Sequence, residues 1–318
     1  MPRHPDDASA AVPPMTEIPT NYLDPQVLNR VARLELRARL VVEGFVTGMH
    51  KSPYKGFSVE FAQHREYVPG DDLRHLDWKI FGKADRFVVK QYEEETNLRA
   101  HLFLDQSESM NYAHDGGLSK FDYAATACAS LAFLIQQQAD AVGLSLFDEK
   151  VGKHLPPSNT RQNLANLFAA LEQAKTRQQK TKIGGVLHEL GNQVQKRGMV
   201  LIFSDLFDDP DAIVKGLREI QSRGHDIVVF HVLDRDEVEF PFERMTLFQG
   251  LEQMPELLCD PKSLRDAYLA EVEGFADKMR KGCLAHRIDY VRVVNSMPLD
   301  VVLTSYLSAR TARTKRRK

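Results

Sequence analysis

The chain has 318 residues, of which 43% are hydrophobic, with 18 Gly, 15 Pro and a formal net charge of -2. That is enough apolar material for a full α/β core and too little Gly and Pro for wholesale disorder. The balanced charge argues against a general nucleic-acid binder, and no run approaches the roughly 18 to 20 apolar residues that span a bilayer, so a soluble, intracellular protein is expected.

Residues 1–20 carry Pro2, Pro5, Pro13, Pro14 and Pro19 among small and acidic residues, and read as a flexible arm rather than a signal peptide. Residues 21–49 read as an amphipathic helix. Its apolar stripe is Val27, Leu28, Val31, Leu34, Leu36, Leu40 and Val41, and Gly44 and Gly48 fall where it would end. Residues 50–98 read as a small β-rich, charged module: Phe57, Val59 and Phe61 alternate with polar residues in one strand, and Phe87, Val88 and Val89 mark another. Between them lies a dense polar stretch containing Arg65, Glu66, Asp71, Asp72, Arg74, Asp77 and the only tryptophan, Trp78. Pro69-Gly70 favours a tight turn there. Arg65 and Arg74 can each hold a carboxylate in a two-pronged pair, with Asp72 and Asp77 as candidates. The stretch reads either as a satisfied network fastening the module to the main domain or as a surface for a partner.

Residues 99–307 alternate between strand and helix patterns. Ala100 to Leu104 reads as a strand, Lys120 to about Gln138 as a helix, Val142 to Phe147 as a strand and Val151 to Leu155 as an edge strand. Helical patterns at Gln162 to Leu171 and Ile183 to Val194 precede Met199 to Phe203, an apolar run suited to a strand buried on both faces. Pro210 to Ile220 is helical, and Ile227 to Phe230 repeats the buried strand. The expected fold is an α/β, doubly wound, mainly parallel sheet. Beyond residue 235, Phe240, Phe242, Met245, Leu247 and Phe248 are expected to pack on the sheet. Ala267 to Met279, Ile288 to Val294 and Leu299 to Leu307 would complete the domain as helix, strand and helix. Cys128, Cys259 and Cys283 form no Cys-x-x-Cys pair and read as buried thiols. Residues 308–318 form a basic tail, read as solubilising or as a contact for nucleic acid or an anionic partner.

The chemistry concentrates where the first strand of this domain ends. Asp105, Ser107 and Ser109 alternate after Leu102-Phe103-Leu104, and three oxygen-bearing side chains so spaced can converge on one hard divalent cation. Ser204-Asp205 repeats the arrangement after the strand ending at Phe203, and adjacent parallel strands would bring Asp205 towards Asp105. Thr160 is either a further hydroxyl ligand or a helix cap. A metal-dependent hydrolase acting on a phosphate ester is the rival class. Its usual equipment is missing: the loop has no Asp-x-Asp pair, and the chain has no Gly-x-Ser-x-Gly elbow and no Gly-rich phosphate or dinucleotide loop. A non-enzymatic contact site is therefore expected.

Asp105-x-Ser107-x-Ser109-Met110, with Ser204-Asp205 on a later strand, resembles the metal-ion-dependent adhesion site of von Willebrand factor type A domains. Upstream, Gly56-Phe57-Ser58-Val59-Glu60-Phe61, Arg65-Glu66-Tyr67 and Gly70-Asp71-Asp72-x-Arg74-x-x-Asp77-Trp78-Lys79 resemble the signature of the bacterial domain of unknown function 58. The resemblance implies a type A-like domain making contacts through a divalent cation, Mg2+ or alternatively Mn2+ or Ca2+. By the same token Asp105, Ser107 and Ser109 match the first metal loop, Thr160 the hydroxyl of the second and Asp205 the acid of the third. Around Thr160 the residues depart from the family's usual Gly-Thr pattern. The implied partner is a MoxR-type AAA+ ATPase or its client, and the implied location, given no amino-terminal membrane helix, is cytoplasmic.

Overall fold

The computed structural model describes residues 33–51, 64–66, 87–90, 98–114, 116–176, 183–248 and 256–307. Its centre is a six-stranded sheet made of β3 (Arg99–Asp105), β4 (Ala141–Phe147), β5 (Val151–Ser158), β6 (Met199–Ser204), β7 (Asp226–Leu233) and β10 (Asp289–Val294), in the spatial order β10-β7-β6-β3-β4-β5. Every neighbouring pair is parallel except β4 and β5, which run antiparallel. The chain leaves β3 towards β4 on one side and later returns to lay β6 on the other. The point of reversal therefore falls between β3 and β6, where ligands of such sheets bind beyond the carboxyl ends of the strands.

The twofold alternation of a strand explains the two cores. Leu102 and Leu104 of β3, Leu201 and Phe203 of β6 and Val228 and Phe230 of β7 face one side. There they meet α1 (Leu34–Lys51), α2 (Lys120–Gln137), α3 (Arg161–Gln173) and a final helix, α8, over 299–307. Phe203 stacks on Phe230 at 4.5 Å between ring centres, with the Tyr306 ring edge-on to Phe230. Phe103, Val200, Ile202, Ile227 and Val229 face the other side, against α4 (Ile183–Gln193), α5 (Pro210–Ser222) and α7 (Pro261–Ala285). The helices α4 and α5 approach so closely that a Cβ on Gly216 would lie 2.9 Å from the Cβ of Leu187.

Helix starts follow local chemistry. Ser119 caps α2 by accepting the backbone N–H of Asp122, and Asp209 and Asp260 cap α5 and α7, each followed by a proline whose missing N–H costs nothing at a first turn. The amino end of α1 is served from a distance, since the Leu34 N–H donates to Glu172 of α3.

Several boundaries differ from the sequence reading. The helix α1 continues through Gly44 and Gly48 to Lys51, because isolated glycines weaken a helix without ending it. Strand β5 runs on to Ser158 through Pro156 and Pro157, which an edge strand tolerates because one side of its backbone needs no partner. In the amino-terminal module the described strands are β1 (His64–Glu66) and β2 (Val88–Lys90), an antiparallel pair with Arg65 opposite Val89. The expected strand at Phe57 to Phe61 lies outside the described residues, as do the amino-terminal arm and the basic tail. The aromatic run beyond residue 235 does not pack on the sheet. Phe240, Phe242 and Phe248 form their own cluster with Tyr268 of α7 beside the small hairpin of β8 (Thr246–Phe248) and β9 (Leu257–Cys259), and Met245 and Leu247 are exposed. Cys128 and Cys283 are buried, and Cys259 is half-buried.

Candidate metal centre

Strand β3 ends at Asp105 and passes through a short turn, Glu108–Asn111, before α2. Leu104 pairs with Phe203, so β3 and β6 deliver their last residues side by side. Asp105 is completely buried. One of its oxygens accepts the Ser107 backbone N–H at 2.9 Å and the other accepts the Ser204 hydroxyl at 2.6 Å. The Ser107 and Ser109 hydroxyls lie 3.1 Å apart, and Ser109 is one of the groups that draw the proton affinity of Asp205 down. Asp105, Ser107, Ser109 and Asp205 are thus brought together from two strands, nearly out of contact with solvent.

The loop carrying Asp205 is held under strain. Leu206 takes a left-handed backbone, φ 56°, while its side chain is buried in the second core. Such a conformation costs a β- or γ-branched residue about 1 to 3 kcal/mol and persists only where surroundings enforce it. Here the enforcement is visible: the Leu206 N–H donates to Ser204 Oγ at 2.9 Å, and the Asp208 N–H donates to the Leu206 carbonyl at 2.7 Å. On the other flank, buried Gln106 ties the first loop to the β4–β5 turn through Asp148.

Two further side chains complete the crevice. Lys120, the first residue of α2, is buried, and its ammonium lies 2.8 Å from Asp205 Oδ2 and 2.7 Å from Glu237 Oε1. Glu237 sits on α6 (Arg235–Glu239), closing a capping box with Asp234, and Tyr112 of the first loop donates to Asp236 of the same turn. Lys120 therefore joins the loops after β3, β6 and β7.

Charge is unequally distributed among these carboxyls. Burial, followed by the charge of Asp205, pushes Asp105 up to about 7, against the pull of its hydrogen bonds to Ser204 and Ser107. Burial pushes Asp205 the same way, but the ammonium of Lys120 overcomes it and holds this carboxyl below the usual range. At Glu237 burial wins over Lys120 and the affinity for a proton rises. Lys120 itself, despite burial, is held in its charged form by Asp205 and Glu237. Lys120 is thus paired with both Asp205 and Glu237, with Asp205 the carboxyl held lower.

Thr160 is not part of this group. It caps α3, accepting the Asn163 N–H at 3.2 Å, and it is exposed. Because β5 runs antiparallel, Ser158 pairs with Val142 at the start of β4, whereas Asp105 pairs with Phe147 at its end. Thr160 thus lies at the opposite end of the sheet. The described segment that opens on the correct end is the start of α4, where the Gly184 N–H donates to Asp208. In the sequence Thr181 stands two positions before Ile183; it lies outside the described residues. Of the polar stretch upstream, Arg65 and Glu66 are on β1, and Asp71, Asp72, Arg74, Asp77 and Trp78 lie outside the described residues.

Lys120 and Glu237 were not among the residues singled out from the sequence. One signal for the lysine was available: a cation at the first position of a helix opposes the helix dipole, so it needs a carboxylate nearby.

An all-oxygen set of two carboxylates and two hydroxyls suits Mg2+, Mn2+ or Ca2+ rather than a thiolate- or imidazole-bound ion. Among the described residues no cluster of three or more His, Cys, Asp or Glu could hold a metal. Beside the crevice lies a pocket of about 460 Å³ bounded by Asp205, Phe207, His231, Glu237, Tyr268 and Phe275.

A parallel sheet with one antiparallel edge strand, carrying Asp-x-Ser-x-Ser at its point of reversal, defines a von Willebrand factor type A-like domain. Residues 63–275 match the family described as "Protein of unknown function DUF58", and the chain belongs to that family. It is similar to the uncharacterized protein Rv1480 of Mycobacterium tuberculosis, with 26% identity over 292 residues, 90% of this chain and 87% of the relative. Mb1516 of Mycobacterium bovis shows the same figures. Among solved structures, the conserved hypothetical protein BatB from Bacteroides thetaiotaomicron is 17% identical with a TM-score of 0.47, covering 68% of this chain and 99% of that one. The SpRpn10 VWA domain is 12% identical with a TM-score of 0.36, covering 65% and 93%. Among the described residues no helix is long and apolar enough to cross a membrane.

Proposed function

We propose that this chain is a protein-interaction adaptor whose carboxyl-end crevice holds a divalent cation, Mg2+ in the first place, and presents it to an acidic side chain of a partner. The observation that carries the reading is the convergence of Asp105, Ser107 and Ser109 with Asp205 in one buried, oxygen-only group at the point of sheet reversal. Asp105, Ser107, Ser109 and Asp205 would hold the ion. When bound, it supplies a Lewis-acid position able to accept a carboxylate oxygen. The chain's own residues do the rest: Ser204 and the Ser107 N–H orient Asp105, and strained Leu206 fixes the Asp205 backbone. The adjoining pocket, with exposed Phe207 on its rim, gives room for the residues flanking the partner's acid.

For the partner we propose a MoxR-type AAA+ ATPase or its client, on the strength of the family resemblance, with the ATPase supplying force and this chain supplying selection. The buried pairing of Lys120 with Asp205 and Glu237 supports a binding role. Affinity recovery from native cells in magnesium or in chelator, with Asp105→Ala in parallel, tests the proposal. An AAA+ protein recovered only with magnesium and only by the unaltered chain is the expected result. Reproducible recovery of a different class of partner, with no AAA+ protein, would refute it.

A further inference from the structure

We infer that Lys120 is a resident cation that competes with the divalent ion for Asp205, and that Glu237 is the carboxylate that receives the lysine when the ion takes its place. The inference rests on the proposed metal reading of the crevice.

Three observations lead to it. Lys120 is 1% exposed, so the charge of its ammonium must be met inside the crevice. It is met by two carboxylates, 2.8 Å and 2.7 Å away, one of which is the metal candidate Asp205 and the other of which is not a candidate. Finally, the Asp205 carboxylate is already engaged: Oδ2 takes the Lys120 ammonium at 2.8 Å and Oδ1 faces the Phe207 N–H at 3.4 Å. A second cation at Asp205 must therefore displace the ammonium from Oδ2 or sit beside it on the same carboxylate, and in either case two cations in a buried crevice repel strongly. Glu237 offers the alternative seat. Since α6 also receives the Tyr112 hydroxyl from the first loop, the exchange links the metal position to the turn after β7.

The arrangement makes opposite predictions for two neutralising substitutions. Lys120→Met removes the competitor, and the affinity for Mn2+, read by calorimetry on the full chain, should rise about tenfold or more. Glu237→Gln removes the receiving carboxylate and should weaken Mn2+ binding. Its side chain is partly exposed, so this variant reports even if Lys120→Met does not fold. The double variant is decisive. If Glu237 acts by receiving the lysine, Glu237→Gln loses most of its effect once Lys120 is gone, whereas a plain charge effect persists unchanged. Equal affinity in Lys120→Met and the unaltered chain would overturn it and leave the metal reading standing. Absence of Mn2+ binding in every variant would overturn both.

Discussion

Two strand ends in this molecule carry the same kind of hydroxyl pair and do different work. After β3, Ser107 and Ser109 lie 3.1 Å apart; after β5, Ser158 and Thr160 lie 3.2 Å apart. The first pair is buried beside Asp105 and Asp205, and in the second Ser158 is half-buried and Thr160 is exposed and caps a helix. Spacing along the chain is therefore not what makes a candidate ligand group. The strand's direction decides which end of the sheet a loop occupies, and the neighbouring strand decides whether carboxylates meet it there.

Substitutions at the two ends should separate sharply. The largest effect is expected for Asp205→Ala, which leaves the buried Lys120 ammonium with Glu237 alone. Breaking a buried ion pair by removing one partner costs about 3 to 5 kcal/mol, and denaturant unfolding in chelator would show it as a lowered midpoint. Ser204→Ala comes next. It takes the 2.6 Å hydrogen bond from a fully buried carboxyl, worth about 1 to 3 kcal/mol, and should push Asp105 still further up, because Ser204 is one of the groups drawing it down.

The third effect is one of pH. Asp105 lies at about 7, so below that pH an incoming ion must displace a proton, and above it the carboxylate is already free. Magnesium affinity should rise about tenfold per pH unit up to about 7 and then level off. His231, held down to about 4 by burial, does not titrate in that range. A pH-independent affinity between 6 and 8 would contradict this placement of charge. The smallest effect belongs to the other strand end. Thr160→Ala removes a cap and should cost about 1 kcal/mol, with no change in ion affinity.

Much of the fold was legible in the sequence because burial writes itself into composition. Met199 to Phe203 and Ile227 to Phe230 read as buried strands, and both are central, covered on two faces. Asp105 and Asp205 were legible for the same reason, each following an apolar run. Thr160 misled because the rule that ligands gather at carboxyl ends assumes parallel neighbours, whereas the three residues between Phe147 and Val151 are too few for a parallel crossover and fix β5 as antiparallel. Lys120 was hidden in a different way. A charged residue at a helix start reads as surface, and only the tertiary arrangement shows that Asp205 and Glu237, 85 and 117 residues away, surround it.

The claim on which the account stands is that the β3 end, and not the β5 end, holds a divalent cation. Calorimetric titration of magnesium into the unaltered chain, Ser107→Ala and Thr160→Ala tests it most directly. One saturable site is predicted in the unaltered chain and in Thr160→Ala, with affinity reduced about tenfold or more in Ser107→Ala. Magnesium binding that is undiminished in Ser107→Ala, or no binding to the unaltered chain, would contradict it.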